Sequence, residues 1–305
     1  MKKGLGTCVD AVALAKAAAL GLGCLFIVIA FMAPGFSMAG GFNMAGGFSM
    51  ARGFSMARGF SRGINATVHA QEQMPDPVAT FSILGFDPDT GEVGGAVQSR
   101  VFTLTGVLTA DADAGVVATQ AIVDVSYGPK GIELLKKGMA PEAIIKQIWD
   151  NDPDPVPDRW TKQGRQFAVM NLKGEAATFT GPKATTWAGG KLGKYCAAQG
   201  NILAGPQVVD AMITAFEGTK GHLSMRFMAA LEAGQAAGGD TRGMQAASMV
   251  IVKKGGGNWL NNDTVLRFQV DDQENPYKEL RRVVERWNDI RAKSPQAQRP
   301  VKPSK

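Results

Sequence analysis

A glycine-rich hexapeptide repeat near the N-terminus most constrains where this chain can fold. Its units are close to Gly-Phe-Ser-Met-Ala-Gly/Arg, and its phenylalanines stand six residues apart at Phe36, Phe42, Phe48, Phe54 and Phe60. A period of six matches neither the α-helix nor the heptad, and glycine at this density disfavours a helix. We therefore interpret residues 35–63 as a flexible, adhesive spacer, with contact to a membrane surface as the alternative. The fold is expected on its C-terminal side.

An apolar segment precedes this spacer. Residues 17–33 are uncharged and follow Lys2, Lys3 and Lys16. A basic start before an apolar run is typical of an export signal or a signal-anchor, although this run is at the short limit for a membrane-spanning helix. A buried helix is the alternative. Residues 1–34 are predicted to be a signal peptide or signal-anchor. The protein is then exported, periplasmic or extracellular, or membrane-anchored if the leader is retained.

Residues 64–79 are interpreted as a linker. Val68 and Ala70 place small or compact residues where signal peptidase requires them for a cut before Gln71, and residues 37–39 offer a competing place. Residues 71–79 are polar and contain proline, as linkers often do. The folded domain is predicted over residues 80–290, and residues 291–305 are predicted to be a disordered basic tail.

Composition indicates a globular body and argues against nucleic-acid binding. Hydrophobic residues make up 45% of the chain and charged residues 20%, which is not the composition of a disordered protein. The net charge is +6, but residues 1–70 hold six basic residues and one acid, so the remainder carries +1. We expect a small-molecule substrate and no nucleic acid. Membrane contact is expected only through an uncleaved N-terminal segment, and a homo-oligomer is allowed.

Cysteine and histidine are scarce, and this restricts the chemistry. Beyond residue 70 the chain has one cysteine, Cys196, and one histidine, His222. The body therefore contains no disulfide and no structural zinc site. We expect no cofactor. A Ser-His-Asp triad would have to use His222, which we interpret instead as a surface histidine at a helix start.

The pattern from Thr80 onward predicts antiparallel hairpins and adjacent helices. Strands are predicted at residues 80–86, 93–101, 115–125, 166–171, 176–180, 195–201, 248–252 and 265–270. Helices are predicted at residues 131–137 and 141–150, from 206, from 223, and over 277–287. Hairpins dominate and helices come in pairs, so we predict an α+β fold of two stacked sheets between helix layers.

A glycine-rich polar loop is the densest candidate site. Residues 232–245 place Gln235, Asp240, Arg242 and Gln245 among four glycines, which allow positive φ and close backbone approach. Such a loop can bind a carboxylate or an oxyanion. A helix C-cap in which Asp240 and Arg242 simply pair with each other is an equal alternative.

Three further positions are candidates. Asn201 stands between a strand and a helix start, where it could contribute to anion binding or serve as a helix cap. Trp187 stands in a turn and could line a pocket, with a core position as the alternative. Asp271 and Asp272 could take a hard cation, but adjacent carboxylates are common on solvated turns, so no metal is predicted.

Two hydroxyl residues, Thr80 and Ser82, stand at the start of the folded body. Because histidine is scarce, a hydroxyl nucleophile needs another base. A free α-amino group can serve, since its pKa is about 7.7–8.0. That chemistry requires the nucleophile to become the first residue of the chain.

Several segments between Thr80 and about Trp287 resemble one family. They are TFSILGFDPDTGEVGGAVQSR, GVVATQA, SYGPKGIELLKKG, FTGPKATTWAGG, AAQGNILAGPQVV, ALEAGQAAGGDTRGMQAA and VDD. Together they resemble the domain of unknown function 1028 family, assigned to the N-terminal-nucleophile (Ntn) hydrolase superfamily. The resemblance implies a four-layer αββα sandwich, with Thr80 as the nucleophile once it is exposed. It implies no settled substrate.

The chain departs from this family at two positions. Gly190 and Gln273 stand where the resemblance leads us to expect histidines, so any role of those histidines is absent. We expect an exported Ntn-type hydrolase of an amide or related C–N bond of a small molecule. Thr80 would be nucleophile and, through its amine, base, while Asn201 and the loop 238–245 would contact the oxyanion and the substrate. The alternatives are a non-catalytic small-molecule or envelope-binding module on the same fold, and use of Ser82 without processing.

Overall fold

The structure is a computed structural model that describes residues 80–293. The predicted leader, spacer and linker lie outside the described residues, as does the tail from residue 294. Residues 80–293 form ten β-strands in two antiparallel sheets and five α-helices, which confirms the predicted α+β class. None of these helices is long and apolar enough to cross a bilayer.

The elements follow one another in two groups. The first group is β1 (Thr80–Asp87), β2 (Glu92–Ser99), β3 (Leu108–Asp111), β4 (Gly115–Ala121), α1 (Tyr127–Lys136), α2 (Pro141–Asp150), β5 (Arg165–Asn171) and β6 (Ala176–Thr180). The second group is β7 (Gly189–Gly193), β8 (Cys196–Asn201), α3 (Gln207–Gly218), α4 (Leu223–Ala236), β9 (Ala246–Val252), β10 (Thr264–Val270) and α5 (Pro276–Ala292).

The larger sheet has six strands in the order β10-β9-β2-β1-β8-β7, and the smaller has four in the order β3-β4-β5-β6. Strand β1 lies inside the larger sheet, between β2 and β8. Its first residue, Thr80, pairs with Ser99 on one side and with Asn201 on the other. The start of β1 is therefore enclosed by two neighbouring strands.

Three hydrophobic clusters separate the layers. One lies between the sheets and joins Leu84 and Val97 of the larger sheet to Val116 and Met170 of the smaller. A second packs α3, α4 and α5 on the other face of the larger sheet. A third packs α1 and α2 on the smaller sheet. Each fully buried large aliphatic or aromatic side chain contributes roughly 1.5–3 kcal/mol to stability.

The alternation of side chains along β1 decides which residues face the smaller sheet. Successive residues of a strand point to opposite faces, and Phe81 and Ile83 lie in the cluster beneath the helices. Leu84 lies in the cluster between the sheets. Thr80 and Ser82 share its face, so two hydroxyl groups enter the space between the sheets.

Several predicted boundaries differ from the observed ones. The strand predicted to run to residue 125 ends at Ala121, whose φ of 66° lies in the left-handed region. Helix α1 begins at Tyr127, four residues before its predicted start, because the first turn tolerates Pro129. Strands β3 and β7 were not predicted; β7 contains three glycines and gives no strand pattern.

The prediction for His222 is half right. It caps the start of α4, where its side chain accepts a hydrogen bond from the Ser224 backbone. It is not a surface residue, because its side chain is 10% exposed and its Nε2 lies 2.8 Å from the buried carboxylate of Glu92.

Candidate functional site

The candidate site begins at Thr80, the first residue of the enclosed strand β1. Its side chain is 1% exposed, and its Oγ1 donates a hydrogen bond of 3.0 Å to Ser99 Oγ on β2. Threonine suits this position because β-branched side chains pack well on a strand. The hydroxyl is thereby fixed between the sheets.

Gln120, near the end of β4, connects the smaller sheet to Thr80. Its Nε2 donates to the Thr80 carbonyl oxygen at 3.2 Å and to Gln166 Oε1 at 2.8 Å. Its Oε1 accepts a hydrogen bond of 2.7 Å from Ser82 Oγ. The buried amide therefore satisfies both of its donor hydrogens and its acceptor.

Asn201, at the end of β8, completes this network from the other side of β1. Its Nδ2 donates to Gln166 Oε1 at 3.1 Å and to the Thr80 carbonyl oxygen at 3.4 Å. Among the described residues, its buried Oδ1 has no hydrogen-bond partner. Since buried polar atoms are nearly always paired, this oxygen is an acceptor available to a further group.

Gln166, on β5, holds the two amides in place. Its Nε2 has three acceptors, the carbonyl oxygens of Gly200 and Gly189 and the hydroxyl of Thr180, at 2.8, 3.2 and 2.9 Å. Sequence reasoning missed both Gln120 and Gln166. The sequence did offer a signal, because each is a glutamine in a predicted strand that is rich in apolar residues.

A cavity of about 470 Å³ opens at Thr80. Its wall includes Arg100 and Arg242, and its apolar part is formed by Val101, Phe102, Val107, Val123 and Val125. The lining also includes Gln120 but, among residues 80–293, no aspartate, glutamate, histidine or lysine. The volume lies within the range of about 300–1,000 Å³ that is usual for small-molecule sites.

The glycine-rich loop reaches this cavity through Arg242. Asp240 is 2% exposed and binds the Arg242 side chain, with Nη2 to Oδ2 at 3.1 Å. The same carboxylate accepts hydrogen bonds from the backbone N–H groups of Arg242 and Arg100. The predicted pairing of Asp240 with Arg242 is therefore present, and Arg242 is the member of the pair that lines the cavity.

The other predicted site residues lie away from the cavity wall. Gln245 Nε2 donates to Asp272 Oδ1 at 2.9 Å, and Gln235 Oε1 is a buried atom without a hydrogen-bond partner in the described residues. Trp187 packs, partly buried, against the cluster beneath the helices. Ser82 is fully buried. Within residues 80–293, no group of three or more histidine, cysteine, aspartate or glutamate side chains could hold a metal ion.

Tyr277 of α5 is connected to the glycine-rich loop through Gln98. Its hydroxyl donates to Gln98 Oε1 at 3.3 Å, and Gln98 Nε2 donates to the Gly243 carbonyl oxygen at 3.2 Å. Burial, followed by the negative charges of Glu232 and Asp240, raises the pKa of Tyr277 well above 10.0. Tyr277 therefore stays protonated and remains a donor.

The fold and the site define a class of α+β protein, in which two packed antiparallel sheets enclose a threonine that begins an inner strand and opens on a cavity. Comparison with protein-family models identifies the family of this particular chain. The chain belongs to the family of unknown function DUF1028, whose family model matches residues 80–280.

A solved structure of the same family is similar. It is the crystal structure of protein SPO2555 from Silicibacter pomeroyi. The two sequences are 29% identical, and the match covers 68% of this chain and 85% of that chain with a TM-score of 0.59. None of the curated proteins compared with the chain matches it.

Proposed function

We propose that this protein is an exported hydrolase of the Ntn type, acting on an amide or related C–N bond of a small molecule. The observation that carries the proposal is the position of Thr80, which lies on the enclosed strand β1 between β2 and β8 and lines the cavity. The arrangement of two sheets between helices also fits the four-layer αββα sandwich of that superfamily.

The lining of the cavity supports an N-terminal base. Among residues 80–293, the lining contains no carboxylate, imidazole or lysine amine that could take a proton from the Thr80 hydroxyl. Arginine is unsuitable because it stays protonated in proteins. The base would therefore be the α-amino group of Thr80 itself, once the peptide bond to Ala79 is cut.

The reaction balances with these groups alone. Thr80 Oγ1 attacks the amide carbonyl carbon and transfers its proton to the α-amine. The C–N bond then breaks, and the leaving amine takes that proton. Water attacks the resulting acyl ester, releases the carboxylic acid and restores the Thr80 hydroxyl.

Asn201 is the proposed donor to the oxyanion. Its bond to the Thr80 carbonyl oxygen is long, at 3.4 Å, and could be exchanged for a bond to developing negative charge. Arg242, held by Asp240, is the proposed substrate contact from the loop 238–245. Asn201 does not line the cavity, and its assignment rests on its contact with the Thr80 carbonyl oxygen. Gln235, Gln245 and Trp187 do not line the cavity and have no such contact, so they would act indirectly.

Ser82 is the weaker nucleophile. Its hydroxyl donates to Gln120 Oε1 at 2.7 Å, and an amide oxygen is a poor base. It does not line the cavity. These contacts favour Thr80 over the reading in which Ser82 acts without processing.

A chromogenic acyl donor tests the function. Protein purified from cells that express the full chain is incubated with p-nitrophenyl octanoate, and its peptides are mass-mapped. The proposal expects an octanoyl adduct on Thr80, absent in Thr80→Ala and retained in Ser82→Ala. An adduct on Ser82 that survives Thr80→Ala would make Ser82 the nucleophile, and no adduct in any form would favour the binding module.

Export is proposed on the basic start and the apolar run of residues 17–33. Fractionation of cells that express the full chain tests it. Recovery in the cytosol at unchanged mass would rule export out.

A further inference from the structure

The cavity at Thr80 combines two surfaces of different chemistry. One is an apolar wall, and the other carries the guanidinium groups of Arg100 and Arg242. Among the described residues, the lining itself contains no acidic residue. A ligand that satisfies both surfaces has an apolar part and an anionic part.

The two arginines are not equivalent. Arg242 forms an ion pair with Asp240 at 3.1 Å, so its charge is compensated from behind the cavity. Arg100 is exposed, and within the described part of the chain its guanidinium donates through Nη1 to the carbonyl oxygen of Arg242. The Asp240 carboxylate accepts a hydrogen bond from the Arg100 backbone N–H but forms its ion pair with Arg242, and no carboxylate within residues 80–293 forms an ion pair with the Arg100 guanidinium. Within residues 80–293, the Arg100 guanidinium thus has no ion-pair partner and has further donors at the cavity.

The apolar wall is unusually open to solvent. Phe102 is 66% exposed and Val125 is 51% exposed, although both line the cavity. Large apolar side chains left in water at a concave site mark places where a ligand removes them from solvent. The wall therefore favours a ligand with an apolar chain or ring.

We propose that the cavity takes amides that carry both an apolar acyl group and a carboxylate, of which N-acyl amino acids are the simplest. The acyl group lies on Phe102 and Val125, and the carboxylate binds the Arg100 guanidinium. This rests on the proposed function for the position of the scissile carbonyl, which lies at Thr80 Oγ1. Binding by Arg100 itself does not depend on Thr80 chemistry.

Three probes separate the two halves of the ligand. N-octanoylglycine has both parts, N-octanoylglycinamide lacks the charge, and N-acetylglycine lacks the apolar chain. Dissociation constants are measured by titration calorimetry on protein purified from cells that express the full chain, and released glycine or glycinamide is measured in the same samples. The variants are Arg100→Gln and Phe102→Ala. Arg286→Gln is the matched control, since it removes one positive charge from the exposed side of α5.

The expected results follow from charge and apolar contact. N-octanoylglycine should bind about tenfold or more tightly than N-octanoylglycinamide, because a hydrogen bond to an ionised group is stronger than a hydrogen bond to a neutral group. Arg100→Gln should abolish this preference and Arg286→Gln should keep it. Phe102→Ala should weaken both octanoyl probes several-fold and leave N-acetylglycine unchanged.

The outcomes distinguish this inference from the proposed hydrolysis. A preference that depends on Arg100, without release of glycine, supports the binding site and counts against the hydrolase. Equal binding of the two octanoyl probes, a preference that survives Arg100→Gln, or no binding of either probe overturns the inference, whether or not any amide is cleaved.

Discussion

Gln120 Nε2 donates a hydrogen bond of 3.2 Å to the carbonyl oxygen of Thr80, and it thereby joins the smaller sheet to the start of β1. The amide oxygen of Gln120 accepts from Ser82 Oγ at 2.7 Å. One buried side chain thus fixes the backbone of Thr80 and occupies the hydroxyl of Ser82.

Replacing the Gln120 amide should destabilise the fold, because the buried Ser82 hydroxyl then has lost its hydrogen-bond acceptor. Gln120→Leu leaves the Ser82 proton without its acceptor, so the free energy of unfolding should fall by about 1–3 kcal/mol in urea titrations. Adding Ser82→Ala removes the stranded hydroxyl and should recover part of the loss. Strictly additive losses in this double-mutant cycle would show that the two side chains are not coupled.

A second buried network, away from the cavity, holds Arg165 and Asp152. The Arg165 Nε–Asp152 Oδ2 distance is 3.2 Å, and both side chains are almost fully buried. Asp152→Ala leaves an unpaired buried charge and should cost about 3–5 kcal/mol in the free energy of unfolding. The control Asp150→Ala removes an exposed partner of Lys146 and should cost about 0.5 kcal/mol or less.

The same pair predicts a pH dependence. Burial alone would raise the pKa of Asp152, but hydrogen bonds from Tyr127 and Arg165 and the Arg165 charge bring it below the ordinary 3.8. A depressed folded pKa stabilises the fold above the ordinary pKa, and this contribution is lost as pH falls through the folded value. Urea titrations from pH 6 to pH 2 should show a smaller acid loss in Asp152→Ala than in the unaltered protein. Equal losses would contradict this assignment.

Cys196 should be unreactive in the folded protein. It is buried on β8, and burial followed by the charge of Glu217 raises the pKa of its thiol to about 12. Only the thiolate reacts with iodoacetamide, so at pH 8 the Cys196 peptide should stay unmodified until denaturant is added. Peptide mass mapping measures this. Rapid modification of the native protein would show that β8 opens.

The backbone at Gly190 is too close to its neighbours for a side chain to fit without a shift. A Cβ at this position would stand 2.7 Å from Thr178 Oγ1 and 3.2 Å from the Ala198 carbonyl oxygen. Gly190→Ala should therefore lower the free energy of unfolding by about 1–3 kcal/mol, as overpacking does. Thr178→Ala in the same chain removes the closest contact but keeps the Cβ of residue 178 at 3.0 Å, so it should recover part of the loss. A neutral Gly190→Ala would mean that the surrounding atoms shift to make room for a Cβ.

Most helices and hairpins could be predicted, because turn residues and apolar periodicity are encoded in short stretches of sequence. The turn residues between Asp87 and Gly91 predict the β1–β2 hairpin, which the structure contains. The helix predicted at residues 141–150 is α2, with the same bounds. The pairing of β1 with β8 joins segments more than a hundred residues apart, and no local pattern encodes it. Strand β7 escaped prediction because its pairing with β8, rather than its glycine-rich sequence, makes it a strand.

The candidate site was predictable in part. Thr80 and Asn201 were identified from their places at element ends, and the fold brings them together. Arg100 and Phe102 were missed because nothing in the sequence around the end of the predicted strand 93–101 marks them as site residues, and they reach the cavity through tertiary packing. Trp187 and Gln245 were selected for their residue types, but their strands and turns direct them to other contacts.

The central claim is that the working protein begins at Thr80. In the uncut chain Ala79 ties the Thr80 nitrogen into an amide, which is not basic. A signal-peptidase cut before Gln71 would still leave residues 71–79 attached, and Pro77 disfavours a direct cut after Ala79. A second cut, by the protein itself or by another protease, is therefore required.

Intact-mass measurement and N-terminal sequencing of protein purified from its native cells test this claim most directly. The account predicts a chain that starts at Thr80, with its α-amine free. A chain that starts at Gln71 and still hydrolyses an amide would contradict it, because Thr80 could not then be its own base.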